Sequence, residues 1–344
     1  MSWGSHDADD GSSPATTWPH DSFPGRNCQP HIFRSQHMIN PLSRMPSPTA
    51  ELSVIVPSVN GASDLLPCLD ALRRAGVSAS LEVIVADRCG DALRTLVRQR
   101  HPEVRLLEAP AGTSIPDLRA MAFDAATAPS VAVIEDHVQV HATWPREMLD
   151  AQSPDAPVVG GSVYNAATST TLDWAAYLCE YSHLLPPLPS GASTWLTGNN
   201  TVYSRSVLAA HRHILGGGRW ENQLHDALRE SGVPLVFRPE IVVAHKKHYT
   251  FMEYFSQRYL YARSYAGARL ATSPVGRRLA YGAAAIALPP ILFGRIVGRV
   301  WSRGGHRSEL VRSLPLLTMF VCAWAAGEVV GAWFGPGQSL SRVS

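Results

Sequence analysis

Short runs of apolar residues alternate with apolar residues at helical spacing through the first part of this chain. A short apolar run bounded by polar residues is typical of a strand that is buried on both faces. These runs lie at 52–57, 81–87, 104–107 and 131–134. Leucines at helical spacing follow the first run, and Ser114 can cap a helix at 115–126. The alternation of strand and helix predicts parallel strands joined by right-handed crossovers.

The fourth apolar run leads directly into three side chains that can bind a metal ion, Glu135, Asp136 and His137. In open α/β sheets, ligands bind just beyond the carboxyl ends of the strands. Oxygen and imidazole ligands together suit Mn²⁺ or Mg²⁺, the ions that accompany a diphosphate. Strand ends are also often acidic for solubility, so the residues alone leave a solvated turn equally open.

The order of these elements resembles the inverting family 2 glycosyltransferases of the GT-A fold over residues 51–269. The resemblance implies an α/β, Rossmann-like, mostly parallel sheet flanked by helices. It also implies a nucleotide-sugar donor site. Pro57 closes the opening strand, Asp87 stands where the family contacts the nucleoside, and Arg119 lies in a helix similar to the one that runs beside the diphosphate in the family. Glu135, Asp136 and His137 occupy the place of the family's Asp-x-Asp, with Glu135 first and His137 last.

The segment after residue 157 is expected to form the acceptor side. A short strand at 158–163 and an aromatic-rich helix at 172–183 precede a stretch that contains Gly198, Asn199 and Asn200. In the family, a similar glycine-containing segment forms the floor beneath the donor sugar. Adjacent asparagine side chains donate and accept, which suits sugar hydroxyls. A plain asparagine-rich turn is the other interpretation.

A helix expected from residue 220 resembles the family segment that supplies the catalytic base. An inverting transfer needs a carboxylate to take the proton of the attacking hydroxyl. The family usually shows Glu-Asp, whereas Glu221 is followed here by Asn222. Glu221 is therefore the first candidate and Asp226 the second. An acid at a helix start also has the plain role of stabilising the helix dipole.

A strand at 241–244 ends in His245, Lys246, Lys247 and His248. By the resemblance, His245 completes the metal shell or contacts the diphosphate. Lys246 and its neighbour can neutralise phosphate charge. The alternative is a basic surface turn that lies near anionic lipid.

Two apolar segments, at 279–293 and 314–334, predict membrane association. The first is short for a membrane span and contains Pro289 and Pro290, so a kinked interfacial or re-entrant segment is expected. The second is long enough to cross or to pack beside the first. An arginine-rich loop joins them, and the positive-inside rule favours the cytoplasmic face of the cell membrane. Two core helices of a soluble protein are the other possibility.

The composition sets the remaining limits. A net charge of +2 is too small to indicate a nucleic-acid partner. The expected organisation is a disordered tail at 1–48, a GT-A domain at 49–270, a membrane-associated helical region at 271–336 and a tail at 337–344.

The function predicted from this combination is sugar transfer with inversion. The donor is a nucleotide-diphosphate sugar, the cofactor is Mn²⁺ or Mg²⁺, and the acceptor is the hydroxyl of a lipid or saccharide. A nucleotidyltransferase on a similar sheet and a non-catalytic binding protein of the same fold are the alternatives.

Overall fold

The structure is a computed structural model, and it describes residues 50–343. The tail expected at 1–48 lies outside the described residues. Within them, one nine-stranded sheet carries helices, and a helical region follows it. The strands are β1 (Leu52–Ser58), β2 (Leu81–Asp87), β3 (Arg105–Glu108), β4 (Ser130–Val133), β5 (Val138–Gln139), β6 (Val158–Asn165), β7 (Gly191–Ser193), β8 (Thr201–Ser204) and β9 (Leu235–His245).

The helices begin and end close to the apolar periods of the sequence. Ser114 caps its helix as predicted, since its side chain accepts a hydrogen bond from the Asp117 amide. The helices are α1 (Ala62–Ala75), α2 (Asp91–Arg100), α3 (Ile115–Ala125), α4 (Trp144–Ala151), α5 (Thr171–Tyr181), α6 (Arg205–Ala210), α7 (Glu221–Glu230), α8 (Phe251–Arg269), α9 (Val275–Ala285), α10 (Leu288–Arg303) and α11 (Arg307–Phe334).

The strand order is β3-β2-β1-β4-β8-β6-β9-β5, with β7 paired to β9. The first four strands pair in parallel, as predicted. The sheet also contains antiparallel pairs, because β8 runs antiparallel to both β4 and β6. Strands β5 and β7 are also antiparallel to β9.

The sheet is covered on both faces, which explains the continuous apolar runs. Every residue of β1 is buried, and its side chains alternate between two core clusters. Leu52 and Val54 pack in one cluster, whereas Ile55 packs in the other with Ile84. Because β1, β2 and β4 are parallel and in register, their carboxyl ends meet at one edge of the sheet.

Strand β9 brings a distant residue to the same edge. Its last residue, His245, pairs with Val138 of β5, immediately after the Glu135–His137 segment. The parallel pairing of β6 with β9 shifts register between Gly161 and Ser162. The edge is thus formed by the parallel strands β1, β2 and β4 together with the more distant strand β9.

The helical region packs through small residues. An added Cβ at Gly327 of α11 would collide with the Tyr259 carbonyl of α8, and one at Gly331 would collide with the Arg263 carbonyl. A glycine pair with this spacing lets two helix backbones approach closely. Helices α9 and α10 meet at a bend of 52° just before Pro289, where the sequence predicts a kink.

This packing makes Gly327 sensitive to a single methyl group. Gly327→Ala should lower the free energy of unfolding by about 1–3 kcal/mol, because the new Cβ meets backbone that cannot move aside. Thermal unfolding of the purified protein in detergent measures this. Gly298→Ala in α10 is the matched control, since nothing lies within 4 Å of its Cβ position. The control should be neutral or slightly stabilising; equal loss in both variants would contradict the close packing of α8 and α11.

Candidate functional site

A cleft opens at the carboxyl edge of the sheet. One wall comes from the ends of β1, β4 and β9, and the other comes from α5 and α8. Pro57 is buried in the first wall, as the resemblance implies for a residue of the donor site. The other lining residues are Val59, Asn60, Ile115, Glu135, Asp136, His137, Glu180, His245, Tyr249, Tyr254, Gln257, Arg258 and Tyr261.

Three of the predicted metal ligands converge in this cleft. Glu135, His137 and His245 each offer one ligand atom, and these atoms lie within 4.8 Å of one another. The Nε2 atoms of the two histidines are 3.0 Å apart, and His137 Nε2 lies 3.3 Å from Glu135 Oε2. Two imidazoles and a carboxylate form a donor set suited to a divalent cation such as Mn²⁺.

Asp136 faces away from this group. Its Oδ2 accepts hydrogen bonds of 2.8 Å from the amides of Val59 and Asn60, and its Oδ1 accepts one of 2.7 Å from the Asn60 side chain. The residue is only 1% exposed. Asp136 therefore fastens the loop after β1 to the end of β4. It also lies 3.2 Å from His137 Nδ1, where it orients the imidazole.

Charges in the cluster are strongly coupled. Burial raises the pKa of Glu135, but the hydrogen bond and charge of His137 outweigh it and lower this pKa to about 2. Burial lowers the pKa of His137, whereas hydrogen bonds to Asp136 and Glu135 raise it to about 10. Burial and the charge of His137 lower the pKa of His245 to about 3. A cation at this cluster would take the place of the proton on His137.

Arg119 connects the metal-capable cluster to the predicted base. It is 5% exposed and forms ion pairs with both Glu221 and, at 3.4 Å, Glu135. Its Nε atom is buried without a hydrogen-bond partner among the described residues. Glu221 also lies against Gly198, where an added Cβ would collide with the carboxylate. The guanidinium thus holds two carboxylates at the floor of the site.

The two base candidates point in different directions, as the helical period predicts. Glu221 begins α7 and turns toward Arg119, with its side chain 19% exposed. Asp226 is 64% exposed and pairs with Arg229 at 3.1 Å on the outer face of the same helix. The structure therefore places Glu221, and not Asp226, next to the cleft residues.

The adjacent asparagines have different surroundings. Asn199 Nδ2 donates to Glu135 at 3.2 Å and to the Tyr181 hydroxyl at 2.8 Å, so it lies at the site. Asn200 is fully buried, and its Nδ2 donates to the carbonyls of Ser162 and Ile241. Asn200 therefore ties β6 to β9 beneath the site.

Asp87 is surrounded by donors of the protein itself. It accepts hydrogen bonds from the Ser58 hydroxyl, the amides of Cys89 and Gly90, and Arg94 Nε at 2.8 Å. The carboxylate has no exposed surface. In this arrangement Asp87 shapes the loop after β2, and contact with a nucleoside would require one of these donors to be displaced.

The two lysines after β9 also differ. Lys246 is exposed, whereas Lys247 is buried and donates to Asn60 Oδ1 at 2.9 Å and to Asp64 at 2.8 Å. Sequence reasoning did not distinguish Lys246 from Lys247. It also missed Glu180 and Arg258, which face the cleft from α5 and α8. Glu180 lies one helical turn from aromatic core residues, and this spacing is the sequence signal that could have identified it as a cleft residue.

The fold is that of a GT-A type glycosyltransferase. The structure is similar to that of the mannosyltransferase PcManGT from Pyrobaculum calidifontis in complex with GDP-Man and Mn²⁺, with a TM-score of 0.51 at 16% identity. This likeness covers 85% of this chain and 90% of the other. The S. aureus TarS 1-349 complex with UDP-GlcNAc gives a TM-score of 0.45 at 12% identity, over 81% and 91% of the two chains.

Residues 53–215 match the model of glycosyl transferase family 2. This stretch is a family 2 glycosyltransferase domain, which confirms the predicted family and fold class. This identity sets aside the nucleotidyltransferase alternative. No curated protein matches the chain.

Proposed function

We propose that this protein moves a sugar from a nucleotide-diphosphate sugar to an acceptor hydroxyl, with inversion and with the help of Mn²⁺ or Mg²⁺. The observation that carries the proposal is the convergence of Glu135, His137 and His245 at the carboxyl edge of the sheet. The mannosyltransferase with a similar fold is complexed with GDP-Man and Mn²⁺, which supports this donor class.

The cation, held by Glu135, His137 and His245, would neutralise charge on the departing diphosphate. Asp136 keeps His137 oriented toward the cleft through the 3.2 Å contact with Nδ1. Pro57 lines the cleft on the proposed donor side, and the exposed Lys246, which follows His245, would add positive charge there. Asn199 donates a hydrogen bond to Glu135, so its side chain lies next to the proposed metal site and within reach of the donor sugar.

Glu221 is the proposed base. Arg119 pairs with it and fixes its position beside the glycine-containing floor. The loop before α7 contains three glycines with positive φ, Gly216, Gly217 and Gly218, so its backbone is suited to a turn that closes over a substrate. Asp226 stays the second candidate, although its exposed position argues against this role.

The helical region supports a membrane location on the cytoplasmic face, with a lipid or saccharide acceptor. Among the described residues, α11 is the one helix that is long and apolar enough to cross a bilayer by itself, and 44% of its apolar window is buried in the protein. Exposed apolar side chains lie on α9, α10 and α11, next to arginines that favour anionic headgroups. With Ile286, which lies between α9 and α10, the exposed apolar residues of this region are Val275, Leu279, Ile286, Ile291, Trp301, Val311, Met319, Trp333 and Phe334.

The reaction is tested by incubating the full-length protein with GDP-mannose or UDP-GlcNAc, Mn²⁺ and a total membrane lipid extract. Transfer predicts that labelled sugar enters a lipid or saccharide product while an equal amount of nucleoside diphosphate is released. A panel of further nucleotide sugars follows if these two are inert. Absence of nucleoside diphosphate release from the whole panel would contradict the proposal.

The metal site predicts a loss of metal-dependent nucleotide binding in His137→Ala. This variant removes one of the three ligand atoms, so the Kd of GDP or UDP in Mn²⁺ should rise at least about tenfold. Isothermal titration calorimetry with Mn²⁺ and with EDTA measures the difference. His141→Ala, an exposed histidine outside the cleft, is the control. Equal affinity in Mn²⁺ and EDTA for the unmodified protein would remove the metal from the account.

The base predicts a separate effect on turnover. Glu221→Gln keeps the size of the side chain but removes its basicity, so kcat should fall about 10²-fold or more with little change in donor affinity. Asp226→Asn should have a much smaller effect, since that side chain faces solvent. Steady-state kinetics with saturating donor decides between them. The reverse order of effects would assign the role to Asp226.

The membrane location predicts the behaviour of a shortened chain. Truncation after Ser273 removes α9, α10 and α11 and should move the protein from the membrane fraction to the supernatant. Arg303 is the last residue of α10. A cysteine in its place in the full chain should resist an impermeant thiol reagent in intact cells, because the connection between α10 and α11 is expected on the cytoplasmic side. Rapid labelling there would contradict the proposed orientation.

A further inference from the structure

The cleft contains one carboxylate that the protein does not use. Its three acidic residues are Glu135, Asp136 and Glu180. Glu135 is engaged by Arg119, Asn199 and His137, and Asp136 is engaged by the loop after β1. Among residues 50–343, no hydrogen bond or ion pair is made by the Glu180 carboxylate.

Glu180 lies on the wall that faces the metal-capable cluster. It stands at the end of α5, and Arg258 lines the same wall from α8. The Arg258 guanidinium lies 4.2 Å from the ring centroid of Trp324 in α11, and its buried Nε has no hydrogen-bond partner in the described part of the chain. Glu180, with a free acceptor, and Arg258, with an unpaired donor, therefore line the same cleft.

The surroundings of this pair suit a hydroxyl-bearing ligand. Tyr249, Tyr254 and Tyr261 complete the wall with aromatic rings. Burial raises the pKa of Glu180, and the charge of Arg258 offsets part of this effect. Polar groups in a partly buried cleft are unfavourable until they are hydrogen-bonded, so a ligand that donates to Glu180 and accepts from Arg258 would be stabilised here.

We propose that Glu180 and Arg258 bind the acceptor, and that the acceptor presents a neutral saccharide group in this wall. Glu180 accepts a hydrogen bond from one acceptor hydroxyl, and Arg258 donates to a neighbouring oxygen. Repulsion by the Glu180 carboxylate disfavours a phosphate as the attacking group. The inference rests on the proposed function, but it assigns acceptor binding to Glu180 and leaves proton removal to Glu221.

The test separates binding from turnover. With a membrane lipid extract as the acceptor pool, Glu180→Ala should raise the acceptor KM about 10- to 100-fold, the worth of a hydrogen bond to a charged group. Glu180→Gln keeps a hydrogen-bonding group and should recover most of this loss. The kcat at saturating acceptor, and donor hydrolysis by water without acceptor, should stay within about threefold. Glu230→Ala, an exposed acid on α7, is the control.

The outcomes distinguish the two levels of the account. An unchanged acceptor KM in Glu180→Ala, or a fall in kcat alone, would overturn acceptor binding by Glu180. A product whose sugar is released by mild acid, as from a glycosyl phosphate, would overturn the neutral hydroxyl. If the unmodified protein does not release nucleoside diphosphate from any nucleotide sugar, the proposed function is contradicted, and this inference, which rests on it, is contradicted too.

Discussion

The site depends on the hydrogen bonds that Asp136 makes to the loop after β1. Two amides and one side chain of Val59 and Asn60 converge on its carboxylate. Lys247, which follows β9, donates a hydrogen bond to the side-chain oxygen of Asn60. The ends of β1, β4 and β9 are therefore tied together through one asparagine. This arrangement places His137 and His245 with their Nε2 atoms 3.0 Å apart.

Charge balance explains why so many ionisable groups are tolerated in a partly closed cleft. A buried charge is costly unless it is paired and hydrogen-bonded. Arg119 lies between Glu135 and Glu221, and His137 lies between Glu135 and Asp136. Each acid of this network thus has a cationic neighbour, and a divalent cation at the cluster would substitute for the proton of His137. Glu180 is outside this network, which is why its free carboxylate points to a ligand.

The parts of the fold that could be predicted are those that depend on local sequence, where the apolar or polar character of a residue indicates whether it is buried. Strand β2 runs over the predicted residues, and the predicted cap Ser114 accepts the expected hydrogen bond. Helix α1 begins at Ala62 with Gly61 at its N-cap, and the loop before it is held by Asp136. The antiparallel strand β8 could not be identified as such, since strand direction depends on partners far away in the chain.

The site was predictable to the level of segments but not of single side chains. The sequence indicated Glu135, Asp136 and His137 together, and only the backbone path shows that Asp136 faces the loop while its neighbours face the cleft. The same limit separates Lys246 from Lys247 and Asn199 from Asn200. In contrast, the opposite directions of Glu221 and Asp226 followed from the helical period alone.

Pulsed electron paramagnetic resonance of Mn²⁺ bound to the full-length protein tests the central claim most directly, because it detects the atoms that coordinate the ion. If Glu135, His137 and His245 hold the cation, the spectrum should show ¹⁴N couplings from two imidazoles, and His245→Ala should remove one of them. Addition of GDP or UDP should introduce ³¹P couplings while the nitrogen couplings persist. Bound Mn²⁺ without any nitrogen coupling would contradict the account.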